Sequence, residues 1–290
     1  TPGMLKPNYR LQEDMMKFMN ALVGEKLSIV TAKAQTTRHR IMGIVNTDDC
    51  QIVYSDTPGM LKPNYRLQED MMKFVDAAIG DADIILYVTD VVEKSDKNIE
   101  YIQKLQKLDC PVVVVINKID VSDQKTVTDL IAYGQEQLPK ATIIPVSAKE
   151  RFNLESVLNA VMSGLPVAPP WFDKDQFTDK NLRFFASEII REKILENYSQ
   201  EVPYSCEVAV EAFKEGRERY EISAVIYVMR DSQKGIIIGK GGSALKKIGT
   251  EARLEMEDFF QKKVFLQLFV KVNPDWRENR KELRKFGYEE

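Results

Sequence analysis

CPVVVVINKID, residues 110–120, decides how this chain folds. Val112–Ile116 is an unbroken β-branched run, far shorter than a membrane span. A run of this kind reads as a strand buried on both faces, as in parallel sheets covered by helices. It breaks off at Asn117-Lys118-Ile119-Asp120, which carries an amide, a cation and a carboxylate. Three other stretches share this build: QIVYSD (51–56), ADIILYVTD (82–90) and ATIIPVSAK (141–149). Helical spacing marks the segments between them, such as Asn98–Leu108 and Val127–Gln137. The alternation predicts an α/β domain with a doubly wound, mainly parallel sheet. Ligands of such sheets bind beyond the carboxyl ends of the strands, so the residues after each apolar run come first.

After QIVYS comes Asp56-Thr57-Pro58-Gly59, and after ATIIPV comes Ser147-Ala148-Lys149. Singly, each motif is short, and Asp56 and Asp120 could be plain helix N-caps. Together with Asn117–Asp120, in this order and at three strand ends, they resemble the Ras-like P-loop GTPases of the translation-factor class. That resemblance implies GTP or GDP as ligand, with Mg²⁺, and chemistry explains the residue types. Asp56 suits Mg²⁺, which prefers oxygen and keeps several waters. Gly59 lets a backbone N–H approach the terminal phosphate. Asp120 accepts from the N1–H and exocyclic amine of guanine; adenine would leave that carboxylate unpaired. Asn117 and Lys118 brace the loop and cover the base, and Ala148 offers its N–H to the guanine oxygen. Upstream lies AKAQTTRHR (32–40), followed by the run IMGIVN (41–46). In this class a threonine of such a loop ligates Mg²⁺ and senses the γ-phosphate. The resemblance assigns that part to Thr37; for the adjacent Thr36 a solvated loop residue is the competing reading. Where Ras-type proteins carry a water-orienting glutamine, this chain has Met60, whose thioether cannot do so. No catalytic residue is assigned, and slow unaided hydrolysis is expected.

Beyond residue 165 the pattern changes. Residues 166–181 are proline-rich and read as a linker. LRFFASEIIREKILENY (182–198) has helical spacing, YSCEVAVEAF (204–213) and RYEISAVIYV (219–228) form a hairpin pattern, and VFLQLFVKV (264–272) is a further strand. Between them, Gly239-Lys240-Gly241-Gly242 joins two helical stretches. This resembles the GxxG loop of KH domains, which clamps the backbone of about four single-stranded nucleotides. Lys240, Lys246 and Lys247 would supply charge. The element order matches the type II KH arrangement, an α+β fold. Residues 276–290 read as a charged, solvated tail.

Composition narrows the class. The 290 residues carry a net charge of −3, so nucleic-acid binding must come from a local basic face. Cys50, Cys110 and Cys206 are odd in number and far apart, as expected of thiols in a reducing compartment. The single histidine, His39, reads as a solvated loop residue. The first eighteen residues lack the apolar segment of a signal peptide.

The G motifs, Met60 after DTPG, the linker and one C-terminal KH pattern together resemble the Era-like family of bacterial ribosome-assembly GTPases, over residues 19–290. MNALVGEKLSIVTAKAQTTRHRIMGIVNTDD and SDTPGML carry the likeness. It implies a GTPase domain over 19–165 and a KH domain over 182–275. It implies a GTP-hydrolysing switch that binds the 3′ end of 16S ribosomal RNA and assists 30S subunit biogenesis. It further implies a cytoplasmic protein with peripheral association at the inner face of the membrane.

One stretch departs from the family. TPGMLKPNYRLQEDMMKF stands twice without drift, at 1–18 and at 57–74. The second copy continues Asp56. The first stands where the family has its first strand and its GxxxxGKS phosphate loop, and GxxxxGK[ST] occurs nowhere in the chain. With two prolines and no apolar run, it is no substitute for a central strand. The expected account is an altered N-terminus on a parent that is an intact GTPase. The others are a nucleotide-incompetent RNA-binding module and a natural degenerate copy.

Overall fold

A computed structural model of the chain describes residues 33, 35–92 and 99–288. The copy at 1–18, and the expectation that it replaces a strand and loop, lie outside the described residues.

β1 (Ile41–Asn46) pairs antiparallel with β2 (Gln51–Asp56), and α1 (Arg66–Asp81) follows. β3 (Ile85–Asp90), β4 (Val112–Asn117) and β5 (Thr142–Pro145) form a parallel ladder with β4 central. α2 (Ile99–Leu105), α3 (Gln124–Gln137) and α4 (Leu154–Gly164) complete this half. Every residue of β4 is buried: Val113 and Val115 pack against Val157 of α4, Val112 and Val114 against Ile102 and Leu105 of α2. Helices on both faces account for the unbroken apolar run. Among the described residues, β1–β2 and β3–β4–β5 are separate sheets.

The second half begins at α5 (Leu182–Asn197), whose Asn181 cap accepts the Phe184 N–H at 3.0 Å. β6 (Glu207–Glu215) and β7 (Arg219–Val228) form the antiparallel hairpin, and β8 (Lys263–Val272) joins β7 in parallel. α6 (Asp231–Ile238) and α7 (Ser243–Phe260) lie between β7 and β8 in sequence. Ile190, Ile194, Ile226, Ile248 and Met256 share one core.

Two sequence expectations for these elements need correction, and the linker is anchored to the first sheet. The Ile44 N–H donates to Phe177 O at 2.9 Å, and Gln51 Oε1 accepts the Trp171 and Phe172 N–H groups at 2.8 and 3.0 Å. The linker thereby satisfies backbone groups along the β1 edge, which would otherwise offer a pairing surface.

The terminal segment is not a solvated tail. Trp276, Leu283 and Tyr288 are buried in one cluster with Leu67 and Met71 of α1, and the Trp276 indole donates to Ser205 O at 3.1 Å. α8 (Arg280–Lys285) lies within it. Charged residues dominate this segment, but Trp276, Leu283, Phe286 and Tyr288 supply a narrow apolar stripe among them.

His39 is not solvated either. Its half-buried ring stacks on Tyr288 at 4.3 Å and meets the Phe184 ring edge-on at 5.5 Å. Burial, with Arg191 and other cations nearby, pushes its imidazole down to about 4, against the pull of Glu188. The neutral ring is the folded form. This contribution to stability is present above the unfolded-state value and is lost as pH falls from 6.5 toward 4. The expected loss is roughly 1–3 kcal/mol, and His39→Phe should flatten this limb of a urea-denaturation pH profile. An unchanged slope in the variant would rule His39 out as the source.

Candidate functional site

β3, β4 and β5 end side by side, with Asp90 in register with Asn117 and Ile116 with Pro145. Parallel pairing therefore brings Asp90, the Asn117–Asp120 motif and the Ser147–Lys149 motif to one edge. Asn117 is buried, and its Oδ1 accepts the Ala148 N–H at 2.9 Å, tying the β4 loop to the loop after β5. The Ser147 hydroxyl donates to Asp120 Oδ1 at 2.6 Å. Asp120 is exposed, so its carboxylate is aimed by Ser147 while retaining acceptor capacity toward solvent. Lys118 has a left-handed backbone, φ 64°, and its ammonium pairs with buried Asp90 at 2.9 Å. Lys149 is exposed and pairs with Glu150 at 3.3 Å. Asp90 was missed in the sequence, though it closes the YVTD run as Asp56 closes YSD.

Asp56, at the end of β2, is buried, and the Thr37 hydroxyl donates to its Oδ2 at 3.4 Å. Thr36 is buried as well, which removes the competing reading of a solvated loop residue; its hydroxyl donates to Lys33 O at 2.5 Å. Thr57, Pro58 and Gly59 continue without regular structure, and Met60 O accepts the Tyr101 hydroxyl at 2.8 Å. Two protein oxygens this close suit Mg²⁺, which takes one or two protein ligands and fills its octahedron with water and phosphate. No cluster of three His, Cys, Asp or Glu exists among the described residues. The residues present thus fit the base of a guanine nucleotide and its Mg²⁺. They do not supply a phosphate loop, since GxxxxGK[ST] is absent from the sequence.

The second cluster is Gly239–Gly242, between α6 and α7. Gly239, Gly241 and Gly242 all have positive φ, at 71°, 60° and 81°. A Cβ at Gly239 would lie 2.6 Å from Ala244 Cβ, whereas one at Gly241 would meet nothing within 4 Å. Gly239 thus shapes the turn, and Gly241 leaves its backbone open to a ligand. Lys240, Lys246 and Lys247 are exposed, with Lys247 pairing with Glu251 at 3.7 Å. Left-handed backbone costs a residue with Cβ about 1–2 kcal/mol. Gly241→Ala should lose that much, and Gly239→Ala more because of Ala244, as read by urea denaturation. Equal losses would remove the packing role given to Gly239.

Residues 17–118 match a family described as a 50S ribosome-binding GTPase, and residues 201–277 match the KH domain family. The chain is 40% identical over 273 residues to the GTPase Era of Staphylococcus haemolyticus, covering 93% of this chain and 91% of that one. It is 40% identical over 275 residues to the GTPase Era of Staphylococcus epidermidis, covering 94% and 92%. The crystal structure of a point variant of Aquifex aeolicus Era bound to GDP·AlF4− is similar to it at a TM-score of 0.90 and 37% identity, over 98% of this chain and 96% of that one. A structure of Era with MgGDPNP and nucleotides 1506–1542 of 16S ribosomal RNA matches with the same values.

Proposed function

We propose, from the premise that the chain belongs to the Era family of GTPases, that it binds the 3′ end of 16S ribosomal RNA and assists 30S subunit biogenesis as a guanine-nucleotide switch. The observation that carries this reading is the pairing, in one chain, of the Asn117–Asp120–Ser147 edge with the open Gly239–Gly242 loop. We take residues 19–165 as the GTPase domain, 166–181 as the linker and 182–275 as the KH domain. Asp56, Thr57, Pro58, Gly59, Asn117, Lys118, Asp120, Ser147, Ala148 and Lys149 form the nucleotide site, and Thr37 and Asp56 hold Mg²⁺. Bound GTP would supply a phosphoryl group for transfer to water. This chain's own residues orient the base through Asp120, hold the metal beside Asp56, and leave water unoriented at Met60. RNA lies along Gly239, Lys240, Gly241 and Gly242, with Lys246 and Lys247 meeting phosphates. We place the protein in the cytoplasm, with peripheral contact at the inner face of the membrane. No helix among the described residues is long and apolar enough to cross a membrane.

The test is filter binding of a labelled 16S 3′-terminal fragment against a shuffled RNA of equal composition. At least tenfold preference for the native fragment is expected; equal affinity would reduce the domain to an unspecific single-strand binder. A second reading is favoured by one observation, the absence of GxxxxGK[ST]. In that reading this particular chain is an RNA-binding module whose nucleotide site is incomplete.

A further inference from the structure

We infer that the KH domain and the C-terminal segment hold residues 35–40 as a latch, with Arg191, Glu207 and Tyr288 as positioning residues for Thr37. The inference rests on the reading of Thr37 given above. Both sides of Thr37 are anchored to the other half of the molecule. On one side, Arg191 of α5 donates to the carbonyls of Gln35, at 3.1 Å, and Thr36, while its other contacts go to Glu188. On the other, Arg38 is fully buried and donates to Glu207 Oε2 at 3.0 Å and Cys206 O at 2.8 Å. The Tyr288 hydroxyl donates to the same Glu207 oxygen at 2.7 Å, and Glu207 Oε1 accepts the Val208 N–H at 3.1 Å. The Lys33 ammonium donates to the carbonyls of Leu195 and Tyr198 at the end of α5.

The segment after DTPG is held by the same C-terminal segment, through Arg277. Leu67 N–H donates to Arg277 O at 3.0 Å, and the Arg277 guanidinium lies 4.4 Å from the Tyr65 ring centroid. The Tyr65 hydroxyl meets the Gln35 amide at 2.8 Å, closing the circuit between the two segments.

Burying a guanidinium–carboxylate pair is a poor route to stability alone, since an apolar boundary of the same shape does as well or better. What these donors supply is direction. They fix the backbone on each side of the Thr37 hydroxyl, which meets Asp56. A physical path also leads from this latch to the RNA loop. α5 packs on α7, joined by Lys193–Glu255 at 2.5 Å and Asn197–Glu251 at 2.7 Å, and α7 starts at Ser243, directly after Gly242. RNA held at that loop would therefore bear on Arg191, and through it on Thr37.

Amide hydrogen exchange on the full chain tests this, with Tyr288→Phe, which removes one hydroxyl, and Glu207→Gln. Exchange within residues 35–40 should rise at least tenfold in both, with β6, β7 and β8 unchanged and RNA affinity within twofold. RNA should slow exchange of residues 35–40 in the unaltered chain, through the Arg191 contacts. Unchanged loop exchange in both variants would overturn the latch. So would an equal rise across β6–β8, which marks general destabilisation. If the unaltered chain binds no RNA, the functional proposal fails, while the exchange of the loop in the variants still decides the latch.

Discussion

Replacing Lys240 and Gly241 together by aspartate is expected to weaken RNA binding at least a hundredfold. The two positions act differently. Lys240 is exposed beside the open backbone, and its charge releases counterions when it meets phosphate. Gly241 has open space where a Cβ would stand, which is where a nucleotide backbone would lie. Two carboxylates there place negative charge and bulk against the phosphates. A hundredfold loss corresponds to about 2.7 kcal/mol, well within the reach of several lost or reversed charge contacts. A control keeps the result from being a folding artefact. Circular dichroism and the urea midpoint should shift only by the cost of aspartate at a positive φ, because neither side chain enters the Ile190–Ile226–Met256 core. RNA affinity within threefold of the parent, in folded material, would remove the loop as the binding site. In the parent, affinity should also fall as salt rises, and the slope should be shallower in the double variant.

How far the sequence alone led depends on what kind of signal each element carries. β4 was legible because an all-β-branched run has few other homes, and it is buried along its whole length. The cluster of Asn117, Asp120 and Ser147 was legible because these residues follow apolar runs and parallel register does the rest. The loop at Gly239 was legible because glycine there answers to a positive φ. What stayed hidden depends on long-range packing. Nothing local to Arg38-His39-Arg40 says that Arg38 will be fully buried against Glu207, 169 positions away. Charge content hid the stripe at Trp276, Leu283 and Tyr288, and proline content hid the pairing of the linker with β1. Each error came from reading composition where the partner was elsewhere in the chain.

The same distinction between halves of a site governs the last expectation. The chain as it stands should bind GTP at least a hundredfold more weakly than a variant whose residues 1–18 give way to a strand and a GxxxxGKS loop. In P-loop proteins the loop amides and the lysine cradle the β- and γ-phosphates, and its Ser/Thr ligates Mg²⁺. Each hydrogen bond to a charged group contributes about 1.5–3 kcal/mol, so losing two or three already exceeds the factor named. On the proposed reading Asn117, Asp120 and Ser147 remain and would hold the base, yet base contacts leave the triphosphate to solvent. Thr37 and Asp56 likewise offer Mg²⁺ an incomplete shell without the loop hydroxyl and the phosphates. Titration of a labelled GTP analogue into both proteins, each with its intact mass checked, reads the difference directly. RNA binding measured on the same samples should be alike, since the Gly239–Gly242 loop is common to both. Equal nucleotide affinity in mass-verified material would show that this family's fold grips triphosphate without its glycine-rich loop. Tight binding by a sample whose mass departs from the sequence would instead place the duplicated segment in the sequence and not in the molecule.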